Sequence, residues 1–185
     1  RIFNLDPHRI FTSRHEATLH HWLGSHHAPK RRRHPLTLTF AVGGAGAQKQ
    51  LGLEILASLR KRIKARDIKF ILVAGSRKEV RDYFISGIKQ LGLFRELGRG
   101  VEVLYEETRP RYFSTFENTL RRTDILWTKP SELSFYAGLG MPIIIAPTVG
   151  SQEEFNKMWL TQVGAGSPQF NPANTDEWLF DWVES

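Results

Sequence analysis

Residues 124–156, DILWTKPSELSFYAGLGMPIIIAPTVGSQEEFN, decide how the rest of the chain is read. Asp124–Thr128 and Pro142–Ala146 are short apolar runs without polar alternation, the pattern of strands buried on both faces of a parallel sheet. Between them, Ser131–Leu139 has the length of a short crossover helix. Polar residues gather after each run: Lys129, Ser131 and Glu132 after the first, Thr148, Ser151, Gln152 and Glu153 after the second. In open parallel sheets ligands bind just beyond the carboxyl ends of the strands, so these clusters mark the functional edge.

Working upstream, Leu36–Val42 (LTLTFAV) reads as a strand that runs directly into Gly43-Gly44-Ala45-Gly46-Ala47-Gln48. The helix after it carries Leu51, Ile55, Leu59 and Ile63 on one stripe. A strand, a glycine-rich turn and a helix start make a natural anion site, because the backbone can approach a phosphate and free N–H groups point at it. Two familiar fingerprints do not fit. Lys49 occupies the place of the third glycine in G-x-G-x-x-G, and no G-K-[ST] follows. A tight turn that binds nothing is the competing reading.

The pattern repeats. Ile68–Ala74 is a strand closed by Gly75-Ser76, and Lys78–Leu91 a helix. Val101–Tyr105 is the next strand, Glu106–Pro110 a loop on the ligand edge, and Phe113, Phe116 and Leu120 mark a helix whose aromatics are expected in the core. Arg121 and Arg122 end that helix as cations suited to its dipole. Downstream, Ser151 and Glu154 form a capping box that opens a helix ending near Val163. In it Glu153 has a structural reading too, as a first-turn acid, whereas Gln152 has none. A last helix from about Thr175 buries Trp178, Leu179 and Trp182. About five βα units in succession predict an α/β fold, a doubly wound Rossmann-like parallel sheet with helices on both faces.

The charge is unevenly placed. Residues 1–35 hold seven Lys/Arg against two acids, a net +5 of the chain's +7, together with all seven histidines. His8–Thr12 reads as a strand, and Ser13 with Glu16 as a second capping box. The expected organisation is residues 1–25 as the tail of an N-terminal domain, 26–35 as a basic, His-rich linker, and 36–185 as the Rossmann-like domain. A start at Arg1 rather than Met makes a fragment of a longer protein the expectation. Neither His20/His21 nor His26/His27 has the spacing that places two ligands on one helical face, so no metal site is expected. Lys30–Arg33 leaves open a peripheral contact with acidic membrane headgroups. A nucleic-acid role is not expected, because the globular part is close to neutral. Without cysteines the chain has no disulfide framework. With no signal-like or spanning stretch besides, it is expected to be cytoplasmic.

Over residues 36–166 the chain resembles the C-terminal, donor-binding domain of GT-B glycosyltransferases. The resemblance is to the branch acting on lipid-linked acceptors, the peptidoglycan lipid-intermediate GlcNAc transferase and the diacylglycerol glycosyltransferases. Three segments carry it: Gly43-Gly44-Ala45-Gly46 resembles the family's first glycine-rich loop, Gly140-Met141-Pro142 its G-x-P strand entry, and Gln152-Glu153-x-x-Asn156 its Q-E-x-x-N segment. Gly164-Ala165-Gly166 fits the same pattern.

The resemblance implies a nucleotide-sugar donor, a UDP-sugar by expectation, bound as substrate, with no cofactor and no metal; the sequence has no Asp-x-Asp pair. Gly43, Gly44, Ala45 and Gly46 would face the donor diphosphate, Ser131 and Glu132 the nucleoside and ribose, and Gln152, Glu153 and Asn156 the sugar. The acceptor, lipid-linked in that branch, and the catalytic base would belong to an N-terminal domain, so this fragment is not expected to be active alone. Phe135 stands where the family usually has a ribose-binding Glu, and Ala45 where Ser or Thr is common. A nucleotide-sugar 2-epimerase on the same architecture and a degenerate, non-catalytic binding module are the alternatives.

Overall fold

A computed structural model describes residues 1–24, 34–42, 48–129, 133–148 and 150–184. Six parallel strands form one sheet: β1 (Leu36–Ala41), β2 (Ile68–Gly75), β3 (Val101–Tyr105), β4 (Ile125–Thr128), β5 (Ile143–Ile145) and β6 (Gly166–Pro168). Their order is β3-β2-β1-β4-β5-β6, the doubly wound arrangement of a Rossmann-like fold. The register runs from Leu36 opposite Ile68 to Phe40 opposite Leu72 on one side of β1. On its other side Leu38 lies opposite Ile125 and Ala41 opposite Thr128. The short β6 was not foreseen; Gly-Ser-Pro carries no strand propensity, and pairing with β5 alone makes it one.

The alternation in β1 sorts the two faces. Leu36, Leu38 and Phe40 join one core with Phe70, Leu72 and Trp127. Three short helices, α1 (Ile2–Leu5), α2 (Ile10–Arg14) and α3 (Glu16–Leu23), precede the sheet, and packed on that face are α4 (Lys49–Ser58), α5 (Arg60–Ala65), α6 (Lys78–Gln90) and the last helix (Thr175–Glu184). The stripe Leu51, Ile55, Leu59 and Ile63 is buried here as expected. The second core contains Ile71, Leu126, Ile143, Ile145 and Leu160, under α7 (Arg109–Arg121), α8 (Leu133–Gly138) and α9 (Ser151–Gln162). There β1 offers only Thr37, Thr39 and Ala41. Thr37 and Thr39 are buried polar residues, and their groups are satisfied: Thr39 Oγ1 lies 2.7 Å from Thr123 Oγ1, and the Thr37 N–H donates to Asp124 Oδ2 at 2.8 Å.

The N-terminal segment departs from its sequence reading. His8–Thr12 is not a strand; Ile10–Arg14 is helical. The reason is Asp6, whose carboxylate accepts the backbone N–H groups of Phe11 and Thr12 and the Thr12 hydroxyl, satisfying first-turn donors from outside the helix. The next helix, Glu16–Leu23, starts after His15 with no side-chain cap, so Ser13 and Glu16 form no capping box. Asn4 Nδ2 donates to Asp124 Oδ2 at 2.8 Å, and the Arg1 guanidinium donates to the carbonyls of Leu120, Thr123 and Leu139. These bonds fix the segment to the sheet body. The basic run Lys30–Arg33 and the His26/His27 pair lie outside the described residues. Among the described residues no helix is long and apolar enough to cross a membrane.

Candidate functional site at the carboxyl edge of the sheet

β1 and β4 are neighbours, yet the chain leaves them toward opposite edges of the sheet, which opens a crevice beyond their carboxyl ends. Thr128 Oγ1 donates to the Ala41 carbonyl at 2.6 Å and ties the two strand ends together at that point. Above it, Gln48 begins α4 with φ of 71°, and its Nε2 donates to the Pro147 carbonyl at 3.2 Å, linking the first βα turn to the end of β5. The Gln48 Oε1 is buried with no hydrogen-bond partner among the described residues. A left-handed backbone at a non-glycine residue costs on the order of 1–2 kcal/mol, so this side chain is held in place against strain at the switch point. Gly43, Gly44, Ala45 and Gly46, the expected diphosphate loop immediately before it, lie outside the described residues.

On the β5 side, α9 starts at Ser151 with Gly150 at its N-cap and no side-chain cap. The expected capping box between Ser151 and Glu154 is therefore absent. Glu154 turns back instead: Thr148 Oγ1 donates to its Oε2 at 2.6 Å, and Lys157 Nζ donates to its Oε1 at 2.9 Å. The Thr148 hydroxyl, then the Lys157 ammonium, hold the Glu154 carboxyl below the usual carboxylate range. With Glu154 so engaged, the loop from Thr148 into α9 is closed on itself.

Of the residues expected at the sugar, Gln152 is exposed in the first turn of α9, and Glu153 and Asn156 are half-buried. Spacings of three and four along a helix put Asn156 beside both. The Glu153 carboxylate meets the Lys129 ammonium, Nζ to Oε1 3.7 Å, with side chains 25% and 11% exposed. Lys129 immediately follows β4, so this pair spans the ends of β4 and β5. Sequence reading placed Lys129 in the polar cluster but gave it no role; its position one residue past a buried strand was the available signal. Gln48, directly after the glycine run, was missed as a site residue. Ser131 and Glu132 lie outside the described residues. Phe135, on α8, is 62% exposed, so an aromatic ring rather than a carboxylate projects there.

Phe113 also differs from its reading. It is 65% exposed, whereas Phe116 and Leu120 are buried. On a 13-residue helix, Phe116 and Leu120 share a face at i, i+4, and Phe113 lies at its margin, over the edge of the sheet.

The strand order, the two helical layers and the crevice define an α/β protein of the GT-B-like, Rossmann type. Solved structures share this fold. S. aureus MnaA with UDP superposes with a TM-score of 0.57 at 11% identity, over 82% of this chain and 37% of that one. A putative UDP-N-acetylglucosamine 2-epimerase from Listeria monocytogenes gives 0.56 at 12% identity, over 80% and 37%. The glycotransferase of kitacinnamycin gives 0.53 at 17% identity, over 87% and 38%. The chain thus spans well under half the length of these proteins, and at such identities the likeness shows the fold. Residues 25–97 match a family described as a domain of unknown function, DUF6938. No curated protein matches the chain.

Proposed function

We propose that the chain binds a nucleoside-diphosphate sugar, a UDP-sugar by preference, at the carboxyl edge of its sheet, and that it is the donor-binding half of an inverting GT-B glycosyltransferase. The observation that carries the reading is the Lys129–Glu153 pair at the switch point of a Rossmann-like sheet. A cation one residue beyond β4 suits a diphosphate. A carboxylate and an exposed carboxamide, Glu153 and Gln152, suit sugar hydroxyls on the β5 side. The glycine loop at 43–46 would give backbone N–H groups to the same diphosphate, and Ser131 and Glu132 would flank the nucleoside. Charge developing on the leaving diphosphate would be offset by Lys129 and by these donors, the preorganised stabilisation that such transfers need. In a protein of its structural neighbours' length, the other half would supply the acceptor site, lipid-linked by the resemblance, and the catalytic base.

A nucleotide-sugar 2-epimerase is the second reading, favoured by the likeness to the Listeria monocytogenes protein. Both readings put a nucleotide sugar in the same place. Against the epimerase stands the histidine-free sequence after residue 34. The exposed Phe135, in place of an acid, favours a third reading, a binding module that has lost part of its donor site.

Amide-resolved NMR titration with UDP tests the common core of the first two readings. Shifts confined to residues 43–48, 127–132 and 148–156 and to the start of α4 are expected. Shifts elsewhere, or none in the folded protein, would remove the donor site.

A further inference from the structure

A groove of about 1200 Å³ lies at the carboxyl ends of β1, β2 and β4, flanked by α7 and α8. It exceeds the roughly 300–1,000 Å³ of common ligand pockets. Its origin can be traced to the sequence. β1 turns Leu36, Leu38 and Phe40 to the other core, and at the groove the strand ends present the short side chains of Ala41, Val42, Val73, Ala74 and Thr128, with Gly75, as a shallow floor. Phe113 and Phe116 of α7 form one wall, and Phe135 of α8 with Leu139 just after it the other. Three of these four are large apolar residues left exposed, at 65% for Phe113, 62% for Phe135 and 46% for Leu139. Such convergence on one cleft is unlike the scattered single apolar residues of an ordinary surface.

The charge at the groove is one-sided. Four arginines line it, Arg1, Arg77, Arg109 and Arg121, against a single acid, Glu117. Glu117 is taken by Arg121 at 2.7 Å, and the Arg1 guanidinium is taken by three carbonyls. Among the described residues the Arg77 guanidinium pairs only with the exposed Glu79, at 3.6 Å. Arg109 has no ion pair among the described residues. The unneutralised positive charge therefore sits at one end, where Arg77 follows β2 and Arg109 opens α7. The apolar walls extend from there along α7, on the order of 18 Å at 1.5 Å per residue.

We propose that this groove binds a single-chain amphiphile with an anionic head, the head between Arg77 and Arg109 and the alkyl chain between the two aromatic walls. The groove adjoins the proposed donor crevice, sharing Ala41 and Thr128 at the ends of β1 and β4 and the exposed Phe135, while Gln48, Lys129 and Gln152 do not line it.

The probe is monododecyl phosphate, titrated below its micelle concentration into the full chain and followed by calorimetry. Saturable binding to one site is expected, with inorganic phosphate and the uncharged dodecyl maltoside each at least tenfold weaker. Arg109→Glu and Phe113→Asp should each lower affinity at least tenfold. Both side chains are exposed, so circular dichroism should match the parent chain. The proposal is overturned by absence of saturable binding, by inorganic phosphate binding equally well, or by unchanged affinity in both variants. It also falls if anionic phosphatidylglycerol vesicles retain parent and variants alike while the monomeric amphiphile does not bind, because the contact would then be with a membrane surface. Loss of UDP binding alone leaves the groove standing, and loss of amphiphile binding alone leaves the donor reading standing.

Discussion

Lys129 and Glu153 face each other across the carboxyl ends of β4 and β5, ammonium to carboxylate 3.7 Å, both largely withdrawn from water. One residue ends a strand at the switch point, and the other opens the helix after the next strand. The pair bridges the carboxyl ends of β4 and β5 beside the crevice. An arriving diphosphate and the Glu153 carboxylate would compete for the same ammonium. Binding is then expected to free Glu153 for a sugar hydroxyl.

Replacing Lys129 by Ala takes the ammonium away from the half-buried Glu153 carboxylate. Because the pair is partly solvated, the stability cost is expected near 1 kcal/mol rather than the 3–5 kcal/mol of a fully buried pair. A hydrogen bond to a charged group contributes about 1.5–3 kcal/mol, so donor affinity should fall tenfold or more. Lys129→Ala/Glu153→Ala should recover the stability but not the affinity. Urea unfolding and calorimetry on the same three proteins check both parts.

A second network governs acid stability. Burial pushes Glu102 up, but hydrogen bonds from Arg122, at 3.0 Å, and from Lys69 outweigh it and hold the carboxyl below its usual range. A depressed folded-state value means that this stabilisation is present in full above the unfolded carboxyl value, about 4.3. It is lost as pH falls through the folded value. Glu102→Gln should therefore lower the thermal midpoint at pH 7 and converge with the parent below about pH 4. A constant difference across that range would contradict the assignment.

Gly52 lies inside α4, where alanine would ordinarily stabilise by about 1 kcal/mol. Here an added Cβ would stand 2.9 Å from Leu72 Cδ2 and 3.0 Å from Phe40 Cε1, both in the core. Overpacking costs typically 1–3 kcal/mol, so the balance is a net loss, and Gly52→Ala should lower the urea midpoint. A rise would mean that the helix stands farther from the sheet than described.

Asp124, buried beneath β1 and β4, accepts from both Thr37 N and Asn4 Nδ2 at 2.8 Å. Asp124→Ala strands a buried backbone donor and should cost about 2–3 kcal/mol. Asn4→Ala should cost less, and the double variant should be sub-additive, because one carboxylate serves both partners. Strict additivity would show that residues 1–24 do not dock through Asn4.

Most of the fold was legible because buried parallel strands announce themselves as unbroken apolar runs, and the helices by stripes such as Leu51–Ile55–Leu59–Ile63. Three features escaped for identifiable reasons. His8–Thr12 has strand-like composition, but the Asp6 carboxylate just upstream accepts the first-turn N–H groups of a helix there. β6 exists only through its neighbour β5. At Ser151 the capping motif was present, yet Thr148 drew Glu154 away from it. Residue types after each strand marked the carboxyl edge, where the strand order opens a crevice between β1 and β4. Which of them pair across it, Lys129 with Glu153 and Gln48 with the Pro147 carbonyl, depends on strand order, and sequence spacing does not encode that. The groove was hidden similarly, since it arises from what β1 lacks on one face.

The central claim, that this carboxyl edge holds a nucleoside-diphosphate sugar, is tested most directly by calorimetric titration of the folded chain with UDP-N-acetylglucosamine, beside Gln152→Ala and Lys129→Ala. The account predicts saturable heat from one site, weakened at least tenfold in Lys129→Ala and weakened for the sugar nucleotide more than for UDP in Gln152→Ala. Absence of heat with UDP, GDP and their sugars, or equal affinity in all three proteins, would contradict it.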